Sequence, residues 1–334
     1  MKLLHIAARQ PNPRLFTPPF LTQLREFGEL SVIEHGEQLP ETEVLTQIRG
    51  CEVLLTGWGH LPVPVAIAAE PGSLRYICHL TGEMRSYIPP EIIRAGIPVT
   101  NWGDALALQV AEGAVTLLLA CLKNLRAHIE EKRNGQWRLS CDSLTGTMRG
   151  LRVGIYGYGV IAQRFVELCR PFGARLSAFD PYVSEFPPDV EQCTSLNDLF
   201  AGSDAVVLHA GLTPETRHSI GTEQLALLRD NGILINTARG GLVDQDALFA
   251  ELERGRLRAG LDVLDFGDWL PPDHPARQWT NVVFTSHQVS NRDWSDGPDS
   301  LNPLHEVCLD NLRRFAHGEP LRFRMDEARY ERST

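Results

Sequence analysis

The sequence lacks the features that define several classes of protein. No apolar run reaches the ~18 residues of a membrane-spanning helix, so no membrane association is expected. No basic run or stripe is present and the net charge is -10, which argues against a nucleic-acid partner. The seven cysteines form no CxxC pair and have no histidines at ligand spacing, so neither a disulfide framework nor a metal site is expected. Scattered thiols of this kind favour a reducing, cytoplasmic location.

The length and the local patterns indicate two α/β domains. A chain of 334 residues is too long for one ordinary core. Strand-like and helix-like segments alternate over the first hundred residues and again from about residue 151, which predicts parallel sheets covered by helices. Residues 104–128 are predicted to form one long helix that is apolar nearly all round at its centre and is therefore buried on most sides.

A glycine-rich loop follows the strand pattern LRVGIYG and opens a helix. Gly157, Gly159 and Ala162 form a GxGxxA motif. The first glycine permits a tight turn, the second permits close approach of a pyrophosphate, and the alanine permits close packing of helix on strand. The helix then begins at Val160 and Ile161, where free N–H groups favour phosphate.

Asp180 ends the next strand pattern, LSAFD, where a ribose-binding acid is expected. A carboxylate there accepts hydrogen bonds from ribose hydroxyls and repels a 2′-phosphate. No arginine follows directly, so NAD is favoured over NADP as the cofactor. The alternative interpretation is a structural glycine turn beside a solvated aspartate.

Further motifs carry a family resemblance. The segments INTARGGLVDQDAL, AGLDV, NVVFTSH and TPETRH together resemble the D-isomer-specific 2-hydroxyacid dehydrogenase family. The resemblance implies two Rossmann-like, doubly wound parallel-sheet domains with an active-site cleft between them. Residues 1–100 and 291–334 would form the substrate domain and residues 101–290 the NAD-binding domain. It also implies a homodimer, with the long apolar helix at the interface.

By this resemblance Arg239 and His287 are the central catalytic residues. A guanidinium suits a carboxylate bidentately, and a histidine can exchange a proton with a keto oxygen near neutral pH. Outside these motifs, an arginine at a strand end would be assigned to a structural ion pair and the histidine to a satisfied polar contact. The family usually has proline before this histidine, where the chain has Ser286.

Four more positions match the family's cofactor site. Thr213 corresponds to a position whose backbone lies near the cofactor. Thr237 and Ala238 are expected to line the nicotinamide ribose, and Asp262 to face the nicotinamide ring and its carboxamide.

The segment GLDVLDFGDWL must supply the acid that pairs with His287. The family's glutamate falls five positions after Asp262, which here is Gly267. However, the following LPPDHP lies one residue later than is usual in the family, which indicates a one-residue insertion after Asp265. If the insertion is placed before Asp268, then Asp268 aligns with the family's glutamate. Asp265 is assigned to turn chemistry. The competing hypothesis is that all three aspartates only cap and solvate a turn.

The segment LTGEMRSYI occupies the family's substrate loop. By resemblance the backbone at Thr81, Gly82 and Glu83 holds the substrate carboxylate, and Trp58 lies over the pocket mouth. Trp294 is a candidate for closing the other side, and Arg85 is assigned to the solvated surface.

The predicted function is reversible, NAD-dependent interconversion of a 2-keto acid and a D-2-hydroxy acid by hydride transfer. Two alternatives remain open. One is a phosphite-type or other unusual hydride-donor dehydrogenase. The other is a non-catalytic NAD(H)-sensing binding protein, which the missing glutamate keeps under consideration.

Overall fold

The chain divides into two compact units, each built around its own parallel sheet. The computed structural model describes residues 1–137, 145–265, 267–290 and 301–332. Unit 1 comprises Met1–Leu106 and Asp293–Thr334, and unit 2 comprises Ala107–Arg292. The α/β fold class predicted from the alternating patterns is confirmed.

All strand pairs in both sheets are parallel. Unit 1 has the order β2-β1-β3-β4-β5, and unit 2 has the order β12-β11-β10-β9-β6-β7-β8. The second order contains the doubly wound dinucleotide-binding arrangement, extended by one strand. The strands are β1 Lys2–Ile6, β2 Glu29–Ile33, β3 Val53–Thr56, β4 Tyr76–His79, β5 Val99–Thr100, β6 Arg152–Tyr156, β7 Arg175–Phe179, β8 Val190–Gln192, β9 Ala205–Leu208, β10 Ile233–Asn236, β11 Arg258–Leu261 and β12 Val282–Phe284.

Helices connect the strands and cover both sheets. They are α1 Pro18–Glu26, α2 Glu41–Gly50, α3 Ala66–Ala69, α4 Pro90–Arg94, α5 Ala107–Leu122, α6 Leu125–Arg133, α7 Val160–Cys169, α8 Leu196–Gly202, α9 Thr222–Leu227, α10 Gln245–Glu253, α11 Pro303–His317 and α12 Glu327–Arg332. Strands β3, β4, β9 and β10 are buried at every residue, as expected for parallel strands covered on both faces. Each unit has two apolar clusters, one on each side of its sheet.

The single long helix predicted over residues 104–128 is wrong. The structure has two helices, α5 and α6, which bend by 59° at the break between them. Asn124 adopts a left-handed conformation with φ of 50° at this break and starts α6. Among the described residues no single helix is long and apolar enough to cross a membrane, and α5 and α6 reach that length and composition only as this bent pair.

The fold brings the chemically interesting residues of each unit to strand ends. In unit 2, Gly157 follows β6, Arg239 follows β10, Asp262 follows β11 and His287 follows β12. Parallel strands end at the same edge of a sheet, and ligands of α/β proteins bind at that edge. In unit 1 the 81–83 segment follows β4 in the same way.

Candidate functional site

The loop between β6 and α7 has the geometry of a phosphate-binding turn. Gly157 has a φ of 86°, and a Cβ there would lie 2.5 Å from the backbone nitrogen of Ala210, so only glycine fits. A Cβ on Gly159 would meet nothing within 4 Å, which leaves the space in front of α7 open. Ala162 is fully buried against the sheet. The open space and the first N–H groups of α7, at Val160 and Ile161, suit a pyrophosphate.

Asp180 is fixed beside this loop. One carboxylate oxygen accepts a hydrogen bond from the Tyr158 N–H at 2.8 Å, and the other accepts one from the Tyr182 N–H at 2.9 Å. The carboxylate is half-buried. Each oxygen keeps a second lone pair, so the carboxylate still has acceptor capacity for ribose hydroxyls.

The turn after β10 carries Thr237, Ala238 and Arg239. The buried Asn236 shapes this turn, because its side chain accepts from the Ala238 N–H at 3.0 Å and donates to the Arg239 carbonyl at 2.9 Å. Sequence reasoning missed Asn236, although its place at the end of a buried strand was a usable signal. The Arg239 guanidinium donates to the Ala238 carbonyl at 2.7 Å.

Two polar groups near the cofactor loops are buried without a protein partner. They are the Thr237 hydroxyl and Nε2 of His209, which follows β9. Burial lowers the pKa of His209 to about 3, so its imidazole is neutral. An unpaired buried hydroxyl is costly unless a ligand or water satisfies it. The hydroxyl of Thr237, the open space at Gly159 and the acceptor at Asp180 therefore fit a dinucleotide.

Thr213 forms a compact turn after β9. Its N–H donates to the Thr216 hydroxyl at 2.7 Å, and this hydroxyl donates in turn to the Gly211 carbonyl at 2.7 Å. This arrangement fixes the backbone that the sequence assigns to the cofactor site.

The buried Asp262 organises the segment that carries His287. Its Oδ1 accepts three hydrogen bonds, from the Thr285 hydroxyl at 2.6 Å, the Gln288 N–H at 2.9 Å and the Val289 N–H at 3.0 Å. Its backbone carbonyl also accepts from the His287 N–H. The sequence predicted that Asp262 faces the nicotinamide ring; in the structure its Oδ1 anchors residues 285–289.

The structure brings Asp268 and His287 together. Oδ2 of Asp268 lies 2.6 Å from Nδ1 of His287. The ionised carboxylate only accepts, so Nδ1 carries the proton of this hydrogen bond. The imidazole is 55% exposed and the carboxylate 27% exposed, so the pair is accessible to a small ligand. The Nε2 atom remains for proton exchange.

Unusual backbone conformations make this contact possible. Gly267 has a φ of 102° and Asp268 a φ of 57°, and Ser286 and His287 have φ values of 52° and 58°. Left-handed non-glycine residues are uncommon and concentrate at functional sites. Gly267, which occupies the position of the family's glutamate by a strict count, serves as the turn that returns Asp268 to the histidine. Ser286 cannot be a proline, because proline fixes φ near -65°.

Asp265 differs from the solvated turn residue that the sequence predicted. Its side chain is only 8% exposed, and its Oδ2 lies 2.7 Å from Nε2 of His218. The guanidinium of Arg217 approaches the same oxygen at 3.8 Å. The three aspartates of the 260–270 segment therefore have three different partners.

In unit 1, the buried His79 shapes the 81–83 loop. Its Nε2 lies 2.7 Å from the Thr81 hydroxyl and 2.6 Å from the Glu83 carbonyl, and its Nδ1 lies 2.8 Å from the Thr56 hydroxyl. Burial lowers the pKa of His79 to about 4, so the ring is neutral and holds both ends of the loop. Sequence reasoning missed His79.

Two tryptophans pack beside this loop. A Cβ on Gly82 would lie 2.3 Å from the Trp102 ring, so the indole lies directly on the backbone. Trp58 meets Trp102 edge-to-face, with ring centroids 5.8 Å apart, and is 38% exposed. Trp294, the other aromatic candidate, lies outside the described residues.

The remaining polar residues of the loop make local contacts. The Glu83 carboxylate accepts from the Ser86 N–H at 2.9 Å. Arg85 is exposed, as predicted, and its guanidinium also donates to the carbonyls of Tyr330 and Glu331 at the end of α12. Across the described parts of both units, no group of three or more histidine, cysteine or acidic side chains is arranged to hold a metal ion.

Comparison with known proteins identifies the family. The model of the D-isomer specific 2-hydroxyacid dehydrogenase NAD binding domain matches residues 115–288. The chain is 33% identical over 301 residues to D-3-phosphoglycerate dehydrogenase of Methanocaldococcus jannaschii, covering 89% of this chain and 55% of that protein, so it spans about half of that relative's length. It is 32% identical to glyoxylate reductase of Thermococcus kodakarensis, covering 90% of each chain.

A solved structure shares the fold over nearly the whole chain. The NAD-complexed D-isomer specific 2-hydroxyacid dehydrogenase of Lactobacillus delbrueckii ssp. bulgaricus aligns with a TM-score of 0.75 at 22% identity, covering 98% of this chain and 100% of that one. The matched domain identifies NAD as the cofactor, and the polar groups of unit 2 fit a dinucleotide. The chain belongs to the D-isomer-specific 2-hydroxyacid dehydrogenases, NAD-dependent oxidoreductases that interconvert 2-keto and 2-hydroxy acids.

Proposed function

We propose that this chain reduces a small 2-keto acid to the D-2-hydroxy acid, and catalyses the reverse reaction, with His287, Asp268 and Arg239 as its catalytic residues. The contact between Asp268 Oδ2 and His287 Nδ1 at 2.6 Å carries the proposal. It supplies a histidine with an oriented ring at the carboxyl end of a strand, in the unit whose sequence matches the NAD-binding domain. Unit 1 is the substrate domain in this proposal.

His287 is the acid–base residue. Nδ1–H donates to Asp268, so Nε2 gives its proton to the substrate oxygen during reduction and takes it back during oxidation. The Asp268 carboxylate orients the ring and stabilises the imidazolium form through a charge-assisted hydrogen bond. Bound NADH supplies the hydride.

Arg239 binds the substrate carboxylate. Asn236 fixes the backbone on both sides of Ala238 and thereby sets the position from which the guanidinium extends. A planar guanidinium donates two parallel hydrogen bonds to a carboxylate and places positive charge beside the keto oxygen.

In unit 1, the 81–83 loop is the proposed substrate-binding loop, and its backbone N–H groups are the proposed donors. His79 holds both ends of this loop, and Trp102 packs on Gly82. Trp58, whose side chain is exposed, would line the substrate pocket in this proposal.

The cofactor contacts come from unit 2. Gly157, Gly159 and the start of α7 bind the pyrophosphate, and Asp180 binds the adenosine ribose. Thr213, Thr237, Ala238 and Asp262 would line the nicotinamide and its ribose. The carboxylate of Asp180 favours NAD over NADP because it repels a 2′-phosphate.

The test is NADH oxidation with a panel of 2-keto acids. The panel begins with glyoxylate and hydroxypyruvate, because relatives of this chain are named glyoxylate reductase and hydroxypyruvate reductase. We expect turnover with at least one acid, and a loss of about 10²- to 10⁴-fold in His287→Gln with NADH binding retained. His317, an exposed histidine at the end of α11, is the matched control, and His317→Gln keeps its activity.

Two results would contradict the proposal. Turnover of phosphite with NAD⁺, but of no hydroxy acid, would indicate a dehydrogenase that acts on an unusual hydride donor. Tight NADH binding without turnover of any substrate would indicate an NAD(H)-sensing protein.

We also infer a homodimer in the cytoplasm. Apolar side chains are exposed on α5, on α6 and just beyond it: Leu108, Leu125, Ile129 and Trp137. Leu125 and Ile129 lie one turn apart on α6 and form one exposed apolar surface, and such surfaces mark interaction sites. All six cysteines in the described residues are free thiols, which suits a reducing compartment. Light scattering of the wild type and of Leu125→Asp tests the dimer.

A further inference from the structure

The segment that carries Asp268 shows no regular structure in the part that the structure describes. Its described residues from Leu264 to Leu270 belong to no helix or strand. Gly267 and Asp268 both have positive φ values. By comparison with the family pattern, the segment is one residue longer and its acid is one methylene shorter. Contacts from elsewhere in unit 2 must therefore hold the Asp268 carboxylate in place.

His218 holds the segment at its start. Its Nε2 lies 2.7 Å from Oδ2 of Asp265, whose side chain is 8% exposed. The Asp265 N–H donates to the Gln245 side chain at 3.0 Å, so both the backbone and the side chain of Asp265 are fixed. His218 is itself anchored, because its N–H donates to the Gly241 carbonyl at 2.8 Å.

Arg277 holds the segment at its end. Its Nε donates to the Pro271 carbonyl at 2.7 Å, and its Nη2 donates to the Leu270 carbonyl. A guanidinium with two donors in a fixed plane sets the direction of both carbonyls. The backbone just after Asp268 is therefore fixed by a side chain nine residues further along the chain.

Between these two contacts, Asp268 bridges the segment and the histidine. Its Oδ1 accepts from the Leu264 N–H at 2.6 Å, and its Oδ2 lies 2.6 Å from Nδ1 of His287. A shift of Leu264 or Leu270 moves the carboxylate away from the imidazole. Misplacement by about 1 Å can cost an enzyme about 10²-fold in rate.

We propose that His218, through Asp265, and Arg277, through the carbonyls of residues 270 and 271, are positioning residues that hold Asp268 against His287. This inference rests on the proposed function, in which the Asp268–His287 pair is catalytic. Neither residue contacts the reacting atoms in this proposal. Both act only through the placement of one carboxylate.

A double-mutant cycle tests the proposal by steady-state kinetics with NADH and the best 2-keto acid of the panel. We expect His218→Leu and Arg277→Met each to lower kcat by about 10- to 100-fold, with little change in KM or in NADH affinity. In an Asp268→Asn background the same substitutions should change kcat by less than about twofold, because the carboxylate they position is gone. His218→Gln, which keeps a donor, should recover part of the rate.

Arg170 provides the matched control for Arg277. It is an exposed arginine of unit 2 that donates two hydrogen bonds to Asp189. Arg170→Met should leave kcat unchanged. Equal losses of rate from His218→Leu in the wild-type and Asp268→Asn backgrounds would overturn the proposal, and so would unchanged rates in both single variants.

A spectroscopic measurement separates this proposal from the proposed function. The ¹⁵N resonance of His287 Nδ1, assigned with His287→Gln, depends on whether this nitrogen donates a hydrogen bond. We expect His218→Leu and Arg277→Met to shift it in the direction seen for Asp268→Asn, even if the wild-type protein reduces no acid in the panel. If the protein is inactive but the shift is seen, the positioning role is supported and the proposed function is contradicted. If the protein is active but the shift is absent, only the positioning role is contradicted.

Discussion

The carboxylate of Asp268 lies 2.6 Å from the imidazole of His287, across 19 positions of sequence, and both residues have left-handed backbone conformations. Such conformations cost free energy unless the surrounding contacts compensate for them. Here Asp262 compensates on the histidine side, since its Oδ1 accepts from Thr285, Gln288 and Val289. The backbone on the His287 side of the pair is therefore held by a buried carboxylate.

Substitution of Ser286 by proline should disable the histidine segment. Proline cannot adopt the φ of 52° found at this position, so the segment must move. We expect Ser286→Pro to lower the free energy of unfolding by more than about 1 kcal/mol and to abolish most of the reductase activity. Urea unfolding and kcat measure the two effects. Ser286→Gly, which tolerates the conformation, serves as the control; a fully active proline variant would contradict the backbone seen here.

Removal of the Asp262 carboxylate should loosen the same segment. The side chain of Asp262 is buried, with 3% exposure, so water does not readily replace it. Asp262→Ala therefore leaves the Gln288 and Val289 N–H groups without an acceptor. A partly buried amide N–H that loses its acceptor costs up to about 1–3 kcal/mol. Asp262→Asn keeps an acceptor oxygen and should retain most of the stability. Thermal unfolding of both variants checks this difference, and equal losses would show that Oδ1 is not the anchor.

Stability of unit 1 should fall on mild acidification. Burial lowers the pKa of His5, His79 and His305 to about 4 and that of His60 to about 3, from 6.5. The unfolded chain therefore binds more protons than the folded one between about pH 6.5 and pH 4. The free energy of unfolding is therefore highest above pH 6.5 and decreases as the pH falls through this window.

Each of these histidines contributes up to about 1.4 kcal/mol per pH unit to this decrease. Urea unfolding at several pH values measures the slope. His5→Gln removes one of the titrating groups and should make the slope shallower, whatever its effect at pH 8. An unchanged slope would mean that His5 is not buried as a neutral ring.

Much of the fold was predictable from local patterns, while several site residues were not. The strand ends at Gly157, Arg239 and His287 follow from apolar segments that stop at polar motifs. No proline or glycine marks the break at Asn124, so the sequence did not predict it, and β8 and α8 are too short and weakly patterned for local patterns to indicate them.

The contacts that complete the site join residues distant in sequence. His218 and Asp265 are 47 positions apart, and neither has a local pattern that indicates the other. The role of Gly267 depends on its φ of 102°, which a count of positions does not contain. From the sequence alone, Gly267 stands where the family has its catalytic glutamate, so a strict count of positions predicts that the acid is absent. The backbone conformation identifies Gly267 as the turn that precedes the acid, Asp268.

The rate of hydride transfer in Asp268→Asn tests the central claim most directly. A stopped-flow measurement of NADH oxidation in a single turnover compares wild type, Asp268→Asn and Asp273→Asn, an exposed aspartate of the same region. A hydrogen bond to a charged group contributes about 1.5–3 kcal/mol, which corresponds to a decrease of about 10- to 150-fold. We predict this decrease for Asp268→Asn and a wild-type rate for Asp273→Asn. Wild-type hydride transfer in Asp268→Asn would contradict the assignment of Asp268 as the partner of His287.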